Sequence, residues 1–513
     1  MKSAQRLLEY AAHEGVRVCF ANPGTSEMHL VAALDTVPAI RPVLALFEGV
    51  ATGAADGFGR MTQSPALTLL HLGPGLGNGL ANLHNAYRAR TPIVSLIGEH
   101  ATYHLANNPP LASDIASLAR PMSAWLKTAE RPQALVALGA EAIAAAKKSG
   151  PAALILPADV AWSDVEPDPP ARMREGAAAQ SWTQHLDAAA RSLGPGALLF
   201  LGGRVLTAKA CAAAQRVAAK TGALVLVETF PPRIERGAGR SALQRLPYLS
   251  EMAAGVLANV HTLVLAGASN PVAFFALPGR PTKLAPESAK VVPFASGVDD
   301  LEAALEALAE AVGAGAGAAT AEAQPIAPPD GEARVDPASF AQALAATLPE
   351  GAIVSDESNT LGLYCYEAAA AAAPHDWLTL TGGSIGQGLP VATGAALAWP
   401  DRRVIALEAD GSALYTIQSL WTQAREGLNV TNVILNNGAY AILKLEMMRA
   451  GINAQTQAAA DLFDLQRPSI DFTHIAAGFG VPGERVSTQR EFVAALLRSF
   501  ATPGPYLIEA MFV

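Results

Sequence analysis

Two oxygen-bearing polar residues stand at the ends of apolar runs in Val404–Tyr440, VIALEADGSALYTIQSLWTQAREGLNVTNVILNNGAY. Asp410 follows the first run and precedes Gly411 and Ser412; Asn437 follows the second and precedes Gly438 and Ala439. The interval from Asp410 to Asn437, 27 residues, is the length of one strand–helix–strand unit. Two adjacent parallel strands would therefore bring a carboxylate and an amide oxygen to one sheet edge. A small set of hard oxygen ligands suits Mg²⁺, which keeps water and completes its octahedron with phosphate oxygens. Gly411-Ser412 at the start of a helix offers backbone N–H groups to an anion. The pattern reads as a site for a metal-bridged diphosphate. Asp-Gly-Ser by itself is more often a helix cap, and it is the Asn-Asn partner at this interval that favours the ligand reading.

Positioning such residues requires parallel sheets. Short apolar runs alternate with helical patterns along the whole chain: VRVCFANPG, VLALF, ALTLLHLG, IVSLIG and AALILP, then ALLFLGG, ALVLVET and TLVLAGA, then AIVSDE, VIALEAD, TNVILNN and YLIEAMF. Strands apolar on both faces and spaced by helices predict α/β layers, with ligands at the carboxyl ends of the strands. Two Pro/Gly/Ala-rich stretches, Ser163–Ser181 and Val312–Val335, read as surface linkers. They divide the chain into blocks 1–163, 182–312 and 334–513, each expected to be a doubly wound parallel-sheet domain. The 513 residues suffice for about three domains at ~100–200 residues each.

The net charge of −9 without a basic stripe argues against nucleic acid as a partner. No apolar run reaches the ~18–20 residues of a membrane span, and the N-terminus reads as an amphipathic helix rather than a signal peptide. Three widely spaced cysteines, Cys19, Cys211 and Cys365, make neither a disulfide framework nor a metal knuckle, so a reduced cytoplasmic setting is expected.

The Asp410–Asn437 stretch resembles the cofactor motif of the thiamine-diphosphate (ThDP)-dependent decarboxylase and acetolactate synthase superfamily, Gly-Asp-Gly followed after a βα unit by Asn-Asn. Ala409 replaces the first glycine, a change expected to be tolerated if its φ is negative. The resemblance spans the chain from about Gln5 to Glu509. VLALFEGVATGAADGFGRMT places Glu48 where the family carries its catalytic glutamate, at the start of a helix. FANPGTSEMHL places Thr25 at the mouth of the site, and LHLGPGLGNGLANLHNAYRARTPIVSLIGEH places His71 at a strand end facing the cofactor. TGGSIGQGLPVATGAALA resembles the segment that bends ThDP, with Gly383 accepting from the aminopyrimidine and Ile385 under the ring junction. SDESNT supplies Asn359 and Thr360 to the diphosphate, alongside Gly411 and Ser412. Asp410, Asn437 and the Ala439 carbonyl would then bind Mg²⁺. Phe274, Ile442, Leu443 and Glu446 are the candidates for the substrate pocket, although Glu446 sits oddly against a carboxylate substrate.

The resemblance implies a ThDP- and Mg²⁺-dependent lyase or carboligase that releases CO₂ from a 2-oxo acid through an enamine. It also implies that the Glu48 domain of one chain meets the diphosphate domain of another, giving a homodimer at least and a homotetramer in the fuller assembly. The middle block has a Gly-Gly-Arg turn but no G-x-G-x-x-G, which argues against FAD. It also lacks the histidine that benzoylformate decarboxylase-like members carry; Phe274 is the nearest position. An acetolactate synthase-type catalytic subunit is the alternative within the family. A catalytically silent ThDP-binding regulator, motivated by Ala409 and the missing histidine, is the alternative of another class.

Overall fold

The computed structural model describes residues 1–166, 181–317, 325–452 and 456–512. Parts of both expected linkers, 167–180 and 318–324, lie outside the described residues. Three parallel-dominated sheets organise the chain. The first runs, edge to edge, through Arg41–Leu44, Val18–Ala21, Ala66–Leu70, Ile93–Glu99, Ala152–Pro157 and Trp125–Thr128, all parallel. The second runs through Lys290–Ala295, Thr262–Ala266, Ala197–Leu201 and Leu224–Val227, again parallel. The third orders Gly483–Val486, Tyr506–Met511, Val430–Asn436, Val404–Ala409, Ile353–Glu357 and His375–Thr379 in parallel. Its last strand is Arg233–Arg236, antiparallel to His375–Thr379 and lent by the middle of the chain.

The central strands bury both faces, as their uninterrupted apolar sequences require, while edge strands such as Arg41–Leu44 and Trp125–Thr128 stay partly exposed. In the third sheet Ile405, Leu407, Val433 and Leu435 enter one core, while Val404, Ala406, Val430 and Ile434 enter another. The first sheet does the same with Leu67 and Leu69 against Ala66 and Leu70. Strand His375–Thr379 carries His, Asp and Trp and does not read as a strand, yet it is wholly buried. Tertiary partners satisfy its polar groups: Asp376 pairs with Arg233 at 2.7 Å and with Arg402, and Trp377 Nε1 donates to Asp356 at 3.1 Å.

Helix Glu48–Thr62 packs against helix Gly388–Ala398 at backbone distance. A Cβ on Gly57 would stand 2.0 Å from the Val391 carbonyl, and one on Gly394 would stand 1.8 Å from the Ala54 carbonyl. Only glycine allows this approach. Beside it, Arg60 is buried with Asp56 at 2.6 and 2.9 Å and donates to the Thr379 carbonyl at 2.7 Å and to Thr381 at 2.9 Å.

At the carboxyl edge of the second sheet, Glu228 follows strand Leu224–Val227 and is half-buried; desolvation pushes its carboxyl from 4.5 up to about 7, against the opposing charge of Arg90. A carboxyl whose folded-state pKa exceeds its unfolded one favours folding while protonated. That contribution is complete below about pH 4.5 and is gone once pH passes about 7, an amount of up to about 3 kcal/mol. Denaturant unfolding at pH 5 and pH 8 should therefore show a larger loss of stability in the wild type than in Glu228→Gln; equal losses would contradict this assignment.

Candidate active site

The carboxyl edge of the third sheet gathers the residues expected at the diphosphate. Strands Val404–Ala409 and Val430–Asn436 are parallel neighbours, with Ala409 opposite Leu435. Asp410 is buried just beyond, and its carboxylate accepts from Gly411 N–H at 2.8 Å, Gly438 N–H at 2.7 Å and Asn437 N–H at 3.1 Å. Burial raises its pKa and these N–H groups pull it back. Asn437 Oδ1 accepts from Ala439 N–H at 3.0 Å, and the Ala439 carbonyl accepts from Ala441 N–H at 2.9 Å. The Asp410 carboxylate thus lies against the turn that carries the Asn437 amide oxygen and the Ala439 carbonyl, a donor set of hard oxygens that fits Mg²⁺. Burial already disfavours the lone Asp410 charge, which a cation would offset.

Ala409 has φ −71° and ψ 145°, so its methyl group causes no backbone strain. The glycine that matters is Gly411, where a Cβ would meet the Tyr440 ring at 2.4 Å. Asn359, at φ 49°, donates from Nδ2 to Ser412 Oγ at 3.1 Å, and Thr360 lies beside it, half-buried. On the strand before Asp410, Glu408 is fully buried; burial and the neighbouring Glu357 carboxylate push its carboxyl well above the usual range.

The first sheet assembles a second group at its own carboxyl edge. Glu48 opens helix Glu48–Thr62, is 6% exposed, and accepts from Asn78 Nδ2 at 2.9 Å. A Cβ on Gly75 would stand 3.0 Å from Glu48 Oε1 and 3.2 Å from the His71 Cβ, so this glycine lets Glu48 and His71 close on one space. His71 Nδ1 lies 2.9 Å from Glu27 Oε2 and 3.2 Å from Ser26 Oγ. The Glu27 carboxylate accepts, so the tautomer that fits this contact is the one in which Nδ1 donates. Glu27 is fully buried and also accepts from Gly24 N–H at 2.8 Å. Thr25 is exposed, and its neighbour Ser26 is the hydroxyl that reaches His71. The sequence offered a signal for Glu27 and Ser26, since both lie in the quoted FANPGTSEMHL turn; what it could not reveal was that the turn folds onto the next strand end.

Asparagines join the two edges within the chain. Asn82 Nδ2 reaches the Gly49 carbonyl at 2.8 Å and the Gly386 carbonyl at 3.1 Å. Asn85 clamps the Ser384 backbone from both sides, at 2.7 and 3.1 Å. Gly383 has φ 74°, and Ile385 lies half-buried in the same loop. Phe274 packs onto Gly383, where a Cβ would meet its ring at 2.7 Å, and stacks edge-on with Phe230 at 5.4 Å. The crevice at Phe274 is lined by Tyr248, Ser250, Phe275, Glu446 and Arg449. Glu446 pairs with Arg449 at 2.5 Å, and Glu251 is held by Arg449 at 2.6 Å and by Arg280 at 3.5 Å, so two carboxylates face two guanidinium groups. Ile442 and Leu443 lie on the same helix, Ala441–Arg449, which buries no residue; Leu443 is 44% exposed.

Comparison with known proteins accords with this architecture. The N-terminal TPP binding domain of thiamine pyrophosphate enzymes matches residues 1–118, and the C-terminal TPP binding domain matches residues 361–510. A protein of Mycobacterium tuberculosis that bears the name of an acetolactate synthase large subunit, IlvX, is 51% identical over 100% of this chain and 99% of its own length. The benzoylformate decarboxylase of Pseudomonas aeruginosa is 28% identical over 98% of this chain and 97% of its own. The solved structure of the ThDP-dependent 4-hydroxybenzoylformate decarboxylase of Rhodococcus jostii RHA1 superimposes with a TM-score of 0.82 at 26% identity, covering 99% of this chain and 98% of that one. With both cofactor-binding domains matched and a relative half identical along its entire length, the chain belongs to the thiamine pyrophosphate enzyme family and is a ThDP-dependent enzyme.

Proposed function

We propose that the protein is a Mg²⁺- and ThDP-dependent lyase or carboligase that cleaves a 2-oxo acid with release of CO₂ and works without FAD. The observation that carries this reading is the pair of carboxylate-bearing sheet edges, Glu48 beside His71 on one and Asp410 at the Asn437 turn on the other. ThDP supplies an electron sink for breaking the bond next to a ketone. Asp410, Asn437 and the Ala439 carbonyl hold Mg²⁺. Gly411, Ser412, Asn359 and Thr360 meet the diphosphate. Gly383 and Ile385 would hold the aminopyrimidine end, and Glu48 would hold the proton at its N1′. His71, oriented by Glu27 and Ser26, moves a proton at the substrate, with Thr25 at the mouth. Phe274, Ile442 and Leu443 give the acyl side an apolar wall, and Arg449 keeps Glu446 from repelling a carboxylate.

Support for a reaction without FAD comes from the second sheet. At its carboxyl edge, where a dinucleotide would lie, this chain's own side chains approach the turn glycines: Arg90 Nη1 lies 1.7 Å from where a Cβ on Gly297 would be, and half-buried Glu228 abuts Gly202. The names of the relatives supply two substrate classes, pyruvate-like acids for an acetolactate synthase and aryl 2-oxo acids for a benzoylformate decarboxylase. The 51% identical relative favours the first as the second reading. The relaxed φ of Ala409 removes one motive for a silent regulator. The family resemblance supports a homodimer at least, completed to a homotetramer, and three buried free cysteines support a cytoplasmic setting. Among the described residues, no helix is long and apolar enough to cross a membrane.

Apo-protein reconstituted with ThDP and Mg²⁺ should release CO₂ from at least one of pyruvate, benzoylformate or a branched-chain 2-oxo acid; tight ThDP binding with no turnover across the panel would favour the regulator. Glu48→Gln should keep cofactor affinity while H/D exchange at C2 of bound ThDP slows at least ~100-fold, the scale of a lost acid–base group. A wild-type exchange rate would refute the role given to Glu48. Asp410→Asn removes the charge without changing shape, and ThDP affinity measured in Mg²⁺ should fall at least tenfold.

A further inference from the structure

The loop that carries Gly383 and Ile385 is held from below by a carboxylate with no part in the chemistry above. Glu357 ends strand Ile353–Glu357 and is 2% exposed. Its carboxylate accepts three consecutive backbone N–H groups, from Gly386 at 2.7 Å, Gln387 at 2.7 Å and Gly388 at 2.5 Å. These are the first N–H groups of the eleven-residue helix Gly388–Ala398 and of the turn leading into it. Burial pushes the Glu357 carboxyl up to about 7 and these three N–H groups pull it back, and a buried acceptor leaves its donors no alternative in water.

The fit around this contact is close. A Cβ on Gly388 would stand 3.0 Å from the Glu357 Cβ and 2.1 Å from Glu408 Oε2. Ser355, on the same strand as Glu357, donates to the Gly388 carbonyl at 2.9 Å. From the other side, Thr416 donates to the Gly386 carbonyl at 2.9 Å. Ser412 also hydrogen-bonds the Glu357 carboxylate and accepts from Asn359. One side chain therefore touches the loop assigned to the aminopyrimidine and a residue assigned to the diphosphate.

We propose that Glu357 is a positioning residue for the cofactor: its carboxylate fixes the Gly383–Gly388 turn in the shape that receives the aminopyrimidine. This rests on the ThDP reading above. In Glu357→Gln, the carboxamide keeps its size and one acceptor oxygen, which Ser412 can still use. Its NH₂ group, however, faces backbone N–H donors and cannot accept from them.

The test is titration of full-length apo-protein, followed by intrinsic fluorescence, with ThDP and separately with inorganic diphosphate, both in Mg²⁺. Glu357→Gln should weaken ThDP at least tenfold while leaving inorganic diphosphate within about threefold of wild type. Equal weakening of both ligands, or no weakening of either, would overturn the proposal. Should the variant fail to fold, hydrogen exchange in the wild-type apo-protein decides. Slow exchange at the Gly386, Gln387 and Gly388 amides supports the hold by Glu357, and exchange at the rate of open loops refutes it. Wild-type protein that binds no ThDP would overturn the functional reading, and this proposal with it, in a result distinct from the others.

Discussion

The buried contact between Arg60 and Asp56 is the constraint on which the rest of the molecule depends. Arg60 pairs with Asp56 and donates its remaining N–H groups to the Thr379 carbonyl and the Thr381 hydroxyl, at the carboxyl end of a strand in another sheet, and to the Pro232 carbonyl at 3.4 Å. Asp56 is completed by the Thr91 hydroxyl at 2.6 Å. A buried ion pair is weak evidence of added stability, because desolvation offsets most of the attraction. Its use here is register. A guanidinium stripped of water must find every acceptor, and only one placement of helix Glu48–Thr62 over the 379–388 segment provides them. The glycines at the adjoining helix contact permit that placement, since a methyl group at Gly57 or Gly394 would collide with backbone.

From this placement helix Glu48–Thr62 and the 379–388 segment of the same chain inherit their positions relative to each other. The helix that Arg60 anchors begins with Glu48, and the segment it grips continues into Gly383 and Ile385. Asn82 and Asn85 add hydrogen bonds across the same seam. Neutral amides suit this seam, because they satisfy exposed carbonyls without introducing a charge close to Glu48. The groups proposed to handle protons lie at the strand ends themselves: Glu48 held by Asn78, and His71 held by Glu27. Each titratable side chain has one neighbour that limits its rotamers, which is how a site keeps its geometry before substrate arrives.

Much of the architecture was legible in the residues. Runs such as VIALEA and NVILNN announce buried parallel strands, and the strand ends nominate Asp410 and Asn437 without further help. Other elements were not legible. HDWLT carries a histidine, an aspartate and an indole N–H, and it becomes a buried strand only because Arg233, Arg402 and Asp356 come to it from elsewhere. RIER carries three charged residues in four, yet it closes the third sheet as an antiparallel edge. Arg449 carries no motif, and its value lies in cancelling Glu446, which the sequence left as an anomaly.

By itself the sequence determined the kind of chemistry and the type of scaffold, because both are local. Ligand types recur at strand ends at the spacing of one βα unit, and hydrophobic period sets strand and helix. Only the tertiary structure decided which of these residues meet. It placed Ser26 rather than Thr25 against His71, and seated Glu357 beneath the Gly383–Gly388 turn. It relaxed Ala409 at an ordinary negative φ. The physical reason is that a buried polar group is fixed by its partners, and those partners lie tens to hundreds of residues away, beyond the reach of any local pattern.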